Sequence, residues 1–179
     1  MTMLPVGLSS YSFNVTMGSG QQGEGGTFAP WTVDDLIDQA AGWGFSSVEL
    51  PLRRYADQPA AVERSRRRLQ ERGLRCTTAD AGIAHTAAVT DAIPLAAALG
   101  ATALRVTLSD ILCGDRRRLN GGWRAYLEQM ADELRAARGV ALDHGVTIAV
   151  ENHQDIDSRE LVWLCEHVGT DVCAVCLDI

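Results

Sequence analysis

Four carboxylates stand where extended, apolar runs of the chain give out: Glu49, Asp80, Glu151 and Asp178. Like charges that converge raise one another's pKa values unless a cation lies among them, and oxygen donors with an occasional imidazole suit Mg2+, Mn2+ or Zn2+. The set therefore predicts a divalent-metal site. His153 and Gln154 follow Glu151 directly and are placed to reach the hydroxyls of a small substrate, against the plainer role of a loop hydrogen bond. Glu49 and His85, the latter just past Asp80, are further substrate-binding candidates. Arg105 alternates with Leu104 and Val106, which turns it to the polar side of its run. There it either touches substrate or neutralises the carboxylates. His144 and His167 fall in helical segments, where capping or packing accounts for them.

Other chemistry is excluded by residue type or by context. Every one of the sixteen basic residues is Arg, so a lysine Schiff base, a pyridoxal-phosphate anchor and a phosphate-loop lysine are absent from these residues. Gly18-Ser-Gly20-Gln-Gln-Gly23 matches the glycine spacing of a dinucleotide fingerprint, but the residues from Glu24 to Pro30 offer no helix start to receive a pyrophosphate. The segment reads as a loop over the site. Cys173 and Cys176 are three apart in an extended run and so point to opposite faces, and the five cysteines read as reduced, mostly buried thiols.

The elements that must position these groups alternate strictly. Strand-like runs fall at 4–10, 46–50, 74–80, 103–109, 147–151 and 172–178, and helix-period segments at 33–43, 60–72, 87–99, 123–144 and 158–167. Thr32 and Ser158 are expected N-caps, and Gly44, Gly73, Gly100, Gly145 and Gly169 each follow a helix. Alternation of this kind specifies a parallel sheet, either an open doubly wound one or a closed barrel. Side-chain parity chooses between them. Ile148, Val150, Val175 and Leu177 form a bulky face suited to helices, while Ala149, Glu151, Ala174 and Cys176 form a small or polar one. An open sheet would be apolar on both faces, whereas a narrow barrel lumen takes small and polar groups. The expected fold is thus a (β/α)8 barrel with a single domain over 1–179, truncated after its sixth strand, since eight units need about 250 residues.

Specific stretches carry a family resemblance. Val150-Glu151-Asn152-His153, Cys176-Leu177-Asp178, Gly7-Leu8-Ser9, Gly44-Phe45-Ser46-Ser47-Val48-Glu49-Leu50 and Asp143-His144-Gly145-Val146 resemble the xylose isomerase-like barrels, the sugar phosphate isomerase/epimerase group. The resemblance implies that Glu151 and Asp178 are two of four ligands to one divalent ion (Mn2+, Mg2+, Co2+ or Zn2+), with a His and a Glu expected from later strands. It also implies that Glu151 exchanges the proton of the substrate carbon, through an enediolate. The implied activity is isomerisation or epimerisation of a ketose or sugar derivative. The alternatives are a metal-dependent dehydratase on the same scaffold and a catalytically incomplete binding protein. The absence of Lys departs from the aldose isomerases that shift a hydride.

Charge bounds the partners. A formal net charge of −7 disfavours a nucleic-acid backbone, and the Arg-rich stretch from Arg64 to Arg68 lies among Glu63 and Glu71 on a solvated helix face. With no apolar run of about 20 residues and no signal-like start, the chain reads as cytoplasmic with no membrane partner. A small sugar-like molecule is the expected partner, and homo-oligomerisation is left open.

Overall fold

The computed structural model describes residues 5–18, 29–55, 58–84, 86–111, 114–119 and 121–178. The strands are β1 (Gly7–Leu8), β2 (Ser47–Val48), β3 (Leu50–Pro51), β4 (Thr78–Ile83), β5 (Ala103–Thr107), β6 (Thr147–Glu151) and β7 (Cys173–Cys176). The helices are α1 (Val33–Gly42), α2 (Pro59–Arg72), α3 (Thr86–Leu99), α4 (Trp123–Ala136), α5 (Arg138–His144) and α6 (Ser158–Val168). All pairings are parallel and follow chain order, β1 on β2 and then β3-β4-β5-β6-β7. A doubly wound sheet reverses its strand order part-way, whereas this order never reverses, as a barrel wall requires. The second expected strand is interrupted at Glu49 but continuous in its pairing, since the Glu49 N–H donates to the Leu8 carbonyl at 2.8 Å and the Val48 N–H to that of Arg75 at 2.9 Å.

Leu36, Ile37, Val48, Leu50, Ile93, Leu104, Val106, Ile148, Val150 and Leu164 are all fully buried between the outer strand faces and the helices. They form one core of branched side chains, which is what holds the polar ends of the strands in register. Close approach at the first strand pair explains a glycine: a β-carbon on Gly7 would lie 2.5 Å from Oγ of its register partner Ser47.

Several boundaries differ from the sequence reading. The third strand runs on through Asp80 to Ile83, with a bulge between Asp80 and Gly82 that seats the Gly82 N–H on Asp80 Oδ1 at 3.0 Å. Asp80 is therefore inside a strand rather than at its end. The expected helix over 123–144 is two helices, because the chain tightens at Ala137, whose N–H turns back to Leu134. Asp157, not Ser158, caps α6, since its carboxylate takes the Arg159 and Glu160 N–H groups while Glu160 reaches back to close a capping box. Thr32 caps α1 as expected.

The outer face of β7 is also a correction. Val175 lies in register with Val150 on the helix-facing side, yet it is 42% exposed, and Leu177 is 71% exposed. Cys173 alone among the outward-facing residues of β7 is buried, against Cys165 of α6 at 3.7 Å.

Candidate active site

A cleft of about 600 Å3 opens at the carboxyl ends of the strands, lined by Ser9, Tyr11 and Ser12 after β1, Glu49, then Arg105 and Thr107 of β5, and by Glu151 to Gln154 and Cys176 to Asp178. The inward faces of neighbouring strands build it through their register, with Asp80 beside Arg105 beside Ala149 beside Ala174, and Glu151 beside Cys176 one step further on. Parallel pairing in register places those side chains on one face, so the period of two in each strand becomes a shared polar wall.

Arg105 is the hub of that wall. Its guanidinium meets Glu49 at 3.0 Å, Asp80 at 3.2 Å and Glu151, and its side chain is only 12% exposed. Burial works against its charge, but the carboxylates of Glu49 and Asp80 around it hold it protonated well beyond its usual range. A buried pair contributes little net stability, yet removing one partner leaves an uncompensated charge. Arg105 thus carries three carboxylates on its fork while also lining the cleft. Glu49 is further occupied by hydrogen bonds from Ser9 Oγ and Ser10 Oγ, each 3.1 Å.

Glu151 is a buried carboxylate on this wall, whereas Asp178 is exposed. Asp178 is held through its backbone, its N–H donating to Asn152 Oδ1 at 2.5 Å while Asn152 Nδ2 donates to its carbonyl at 2.8 Å. Both carboxylates line the same cleft. Their hard oxygen donors suit a divalent cation, but among the described residues no three His, Cys, Asp or Glu groups come together as an ion's cage. The fit is that of a partial donor set. Cys176 lines the cleft as well, and burial pushes its thiol up from the ordinary value.

His153 and Gln154 both reach the cleft. His85 lies outside the described residues, as does most of the glycine-rich loop after Gly18. His167 Nε2 pairs with Asp132 Oδ1 at 3.1 Å, where the carboxylate is the acceptor, and its ring stacks on Trp163, away from the cleft. The sequence reading did not take Ser109 and Asp155 as site residues; both are buried and hydrogen-bonded to each other, with Asp155 next to His153. Nothing in the local pattern separates Asp155 from the helix-capping Asp157 two residues on. The one available signal is its position four residues past Glu151, within reach of whatever the β6 loop covers.

The sequence matches the family model of the xylose isomerase-like TIM barrel over residues 37–179. The chain belongs to that family. No curated protein matches the chain by sequence. Among solved structures, the xylose isomerase-like barrel seen here is similar to D-psicose 3-epimerase with D-tagatose from Clostridium cellulolyticum H10, with TM-score 0.73 and 16% identity over 96% of this chain and 62% of that one. It is also similar to the IolI protein with a bound zinc atom, with TM-score 0.66 and 10% identity over 96% and 62%. An AP endonuclease of family 2 from Brucella melitensis gives TM-score 0.63 and 20% identity over 85% and 65%. The chain spans less than two thirds of the length of each. At these identities the likeness establishes the fold.

Proposed function

We propose that this barrel epimerises or isomerises a ketose or related sugar derivative by moving a proton at a carbon beside a carbonyl. The observation that carries the reading is a buried carboxylate, Glu151, at the carboxyl end of β6, paired with Arg105 in a cleft that Ser9, Thr107, Asn152, His153 and Gln154 also line. Such a site suits a ligand rich in hydroxyls, and its acidic surroundings suit no phosphate backbone. Two of the structural relatives act on or bind what this reading needs, one being a ketose 3-epimerase with D-tagatose and the other a zinc-bound barrel.

Glu151 is the proposed base. It lies within reach of the cleft, and with Oε2 held by Arg105 its second oxygen is left to exchange a proton with substrate. Glu151 and Asp178 would hold a divalent ion, Mn2+, Mg2+, Co2+ or Zn2+, which when bound polarises the carbonyl and adjacent hydroxyl and so acidifies the proton between them. His153 and Gln154 would orient the hydroxyls, and Arg105 and Glu49 would fix the wall against which the substrate lies.

The test is proton exchange. Purified protein incubated with D-tagatose or D-fructose and Mn2+ in deuterated water should lose the 1H signal of the carbon-bound proton at C3, and a chelator should stop that loss. Absence of exchange on both ketoses with each of the four metals, together with tight binding to abasic duplex DNA that weakens steeply with salt, would reverse the reading.

A further inference from the structure

Below the cleft floor lies a pair of polar atoms that the fold has brought together without joining. Asp155 is fully buried, and its Oδ1 has no hydrogen-bond partner among the described residues. The Nδ1 atom of His153 is likewise buried without a partner, 4.0 Å from that same Oδ1. Two orphaned groups facing each other cost free energy that a small rotation of the imidazole would recover. His153 lines the cleft with its side chain 24% exposed, and Nδ1 is a buried atom of that ring.

The direction of the hydrogen bonds is set from the other side. The Ile111 N–H donates to Ser109 Oγ at 3.2 Å, which leaves the Ser109 hydroxyl proton for Asp155 Oδ2. Asp155 is thereby an acceptor at Oδ2 and open to accept at Oδ1. The Arg116 guanidinium holds the Asp155 carbonyl at 2.8 Å and pins the backbone of the loop.

We propose that Asp155 is a positioning residue that locks His153 in its Nδ1–H tautomer, so that the Nε2 lone pair faces the cleft as the acceptor for a hydroxyl hydrogen of the substrate. This rests on the ketose reading above for the identity of the hydroxyl, but the tautomer does not. A carboxylate behind an imidazole fixes both its ring orientation and which nitrogen carries the proton, and the nitrogen left bare decides whether the site accepts or donates. A site that accepts at this point selects a hydroxyl and rejects an ether or carbonyl oxygen placed there.

The experiment is 15N NMR of the imidazoles in the intact protein, the four histidines being distinguished by a His153→Gln variant. The wild-type protein should show His153 protonated at Nδ1 and bare at Nε2. In Asp155→Asn, whose amide can donate to Nδ1, the signal should move to the Nε2–H form, and KM for the ketose should rise roughly tenfold with a smaller change in kcat. A wild-type His153 protonated at Nε2 would overturn the proposal, and that spectrum decides even if Asp155→Asn does not fold. An unchanged tautomer in a folded Asp155→Asn protein would overturn it too. An Nδ1–H tautomer in a protein that exchanges no ketose proton would leave the lock standing and sink the ketose reading instead.

Discussion

β6 and β7 lie side by side; β6 ends in a cleft-lining carboxylate, Glu151, and β7 is followed two residues on by another, Asp178, but the two are held differently. The wall around β6 is packed on both sides: Ile148 and Val150 are fully buried outward, and inward Glu151 is gripped by Arg105, which Glu49 and Asp80 hold in turn. β7 and the residues after it present Val175 and Leu177 to solvent, and Asp178 is held through its backbone by the side chain of Asn152. Glu151 is thus preorganised by burial and charge, while Asp178 is placed by one exchange of hydrogen bonds. A proton-transfer base needs fixed geometry before the reaction, whereas a ligand carboxylate can settle as its ion binds, so the rigid strand carries the base in this reading.

The contrast is broken most severely at the base. Glu151→Gln keeps the volume but removes the proposed proton acceptor, and should slow solvent-proton exchange into substrate by about 10²–10⁴-fold with the fold retained by circular dichroism. Unchanged exchange in that variant would move the base elsewhere.

Packing comes next. Ile148→Ala on β6 should cost about 2–5 kcal/mol in urea unfolding, whereas Leu177→Ala beyond β7 should stay within about 0.5 kcal/mol. Equal losses at the two positions would show that the outer face of β7 is covered in solution.

The Asn152 clasp should show a smaller effect. Asn152→Ala removes two hydrogen bonds at a partly exposed position and should lower stability by only about 1 kcal/mol, while amide exchange at Asp178 becomes much faster. Retained protection of that amide would mean that β7 positions Asp178 without Asn152.

Smallest of all is the response to acid on the helix side, far from the cleft. The Asp38 carboxyl is held below its ordinary value by hydrogen bonds from Arg68 and then Arg72, and Asp35 by bonds from Thr32 in the α1 capping box. Carboxylates with depressed folded values contribute stability that is fully present above about pH 4 and is lost as pH falls through the folded value. Both groups lie near the surface, where solvent screens such pairs. Asp38→Asn should therefore lower stability slightly at pH 7 and flatten the acid limb, the difference from the wild-type protein disappearing as pH falls through the folded value.

Much of this was legible one segment at a time. The alternation of Leu104 and Val106 with Arg105, and of Ile148 and Val150 with Ala149 and Glu151, gave both the strands and their faces, because a strand side chain's direction depends only on its own parity. Thr32 and the glycines after the helices marked ends by local backbone rules. The run of Asp80 through a bulge to Ile83 was not legible, since the bulge exists only against β5. Nor was the break at Ala137, where the residues on both sides keep a helical pattern.

By itself, then, the sequence determined a parallel β/α wall with a polar inner face, because hydrophobic period, caps and turn glycines act over a few residues. Only the tertiary structure decided that Arg105 would bind Glu49, Asp80 and Glu151 at once, the last 46 residues away. It alone also set Asp155 on Ser109 across the same separation, next to the buried edge of His153. The physical reason is that an ion pair or a buried hydrogen bond is a property of two distant groups and of the solvent excluded between them. No single stretch of chain encodes which carboxylate a guanidinium meets until strand register and packing have brought both out of water.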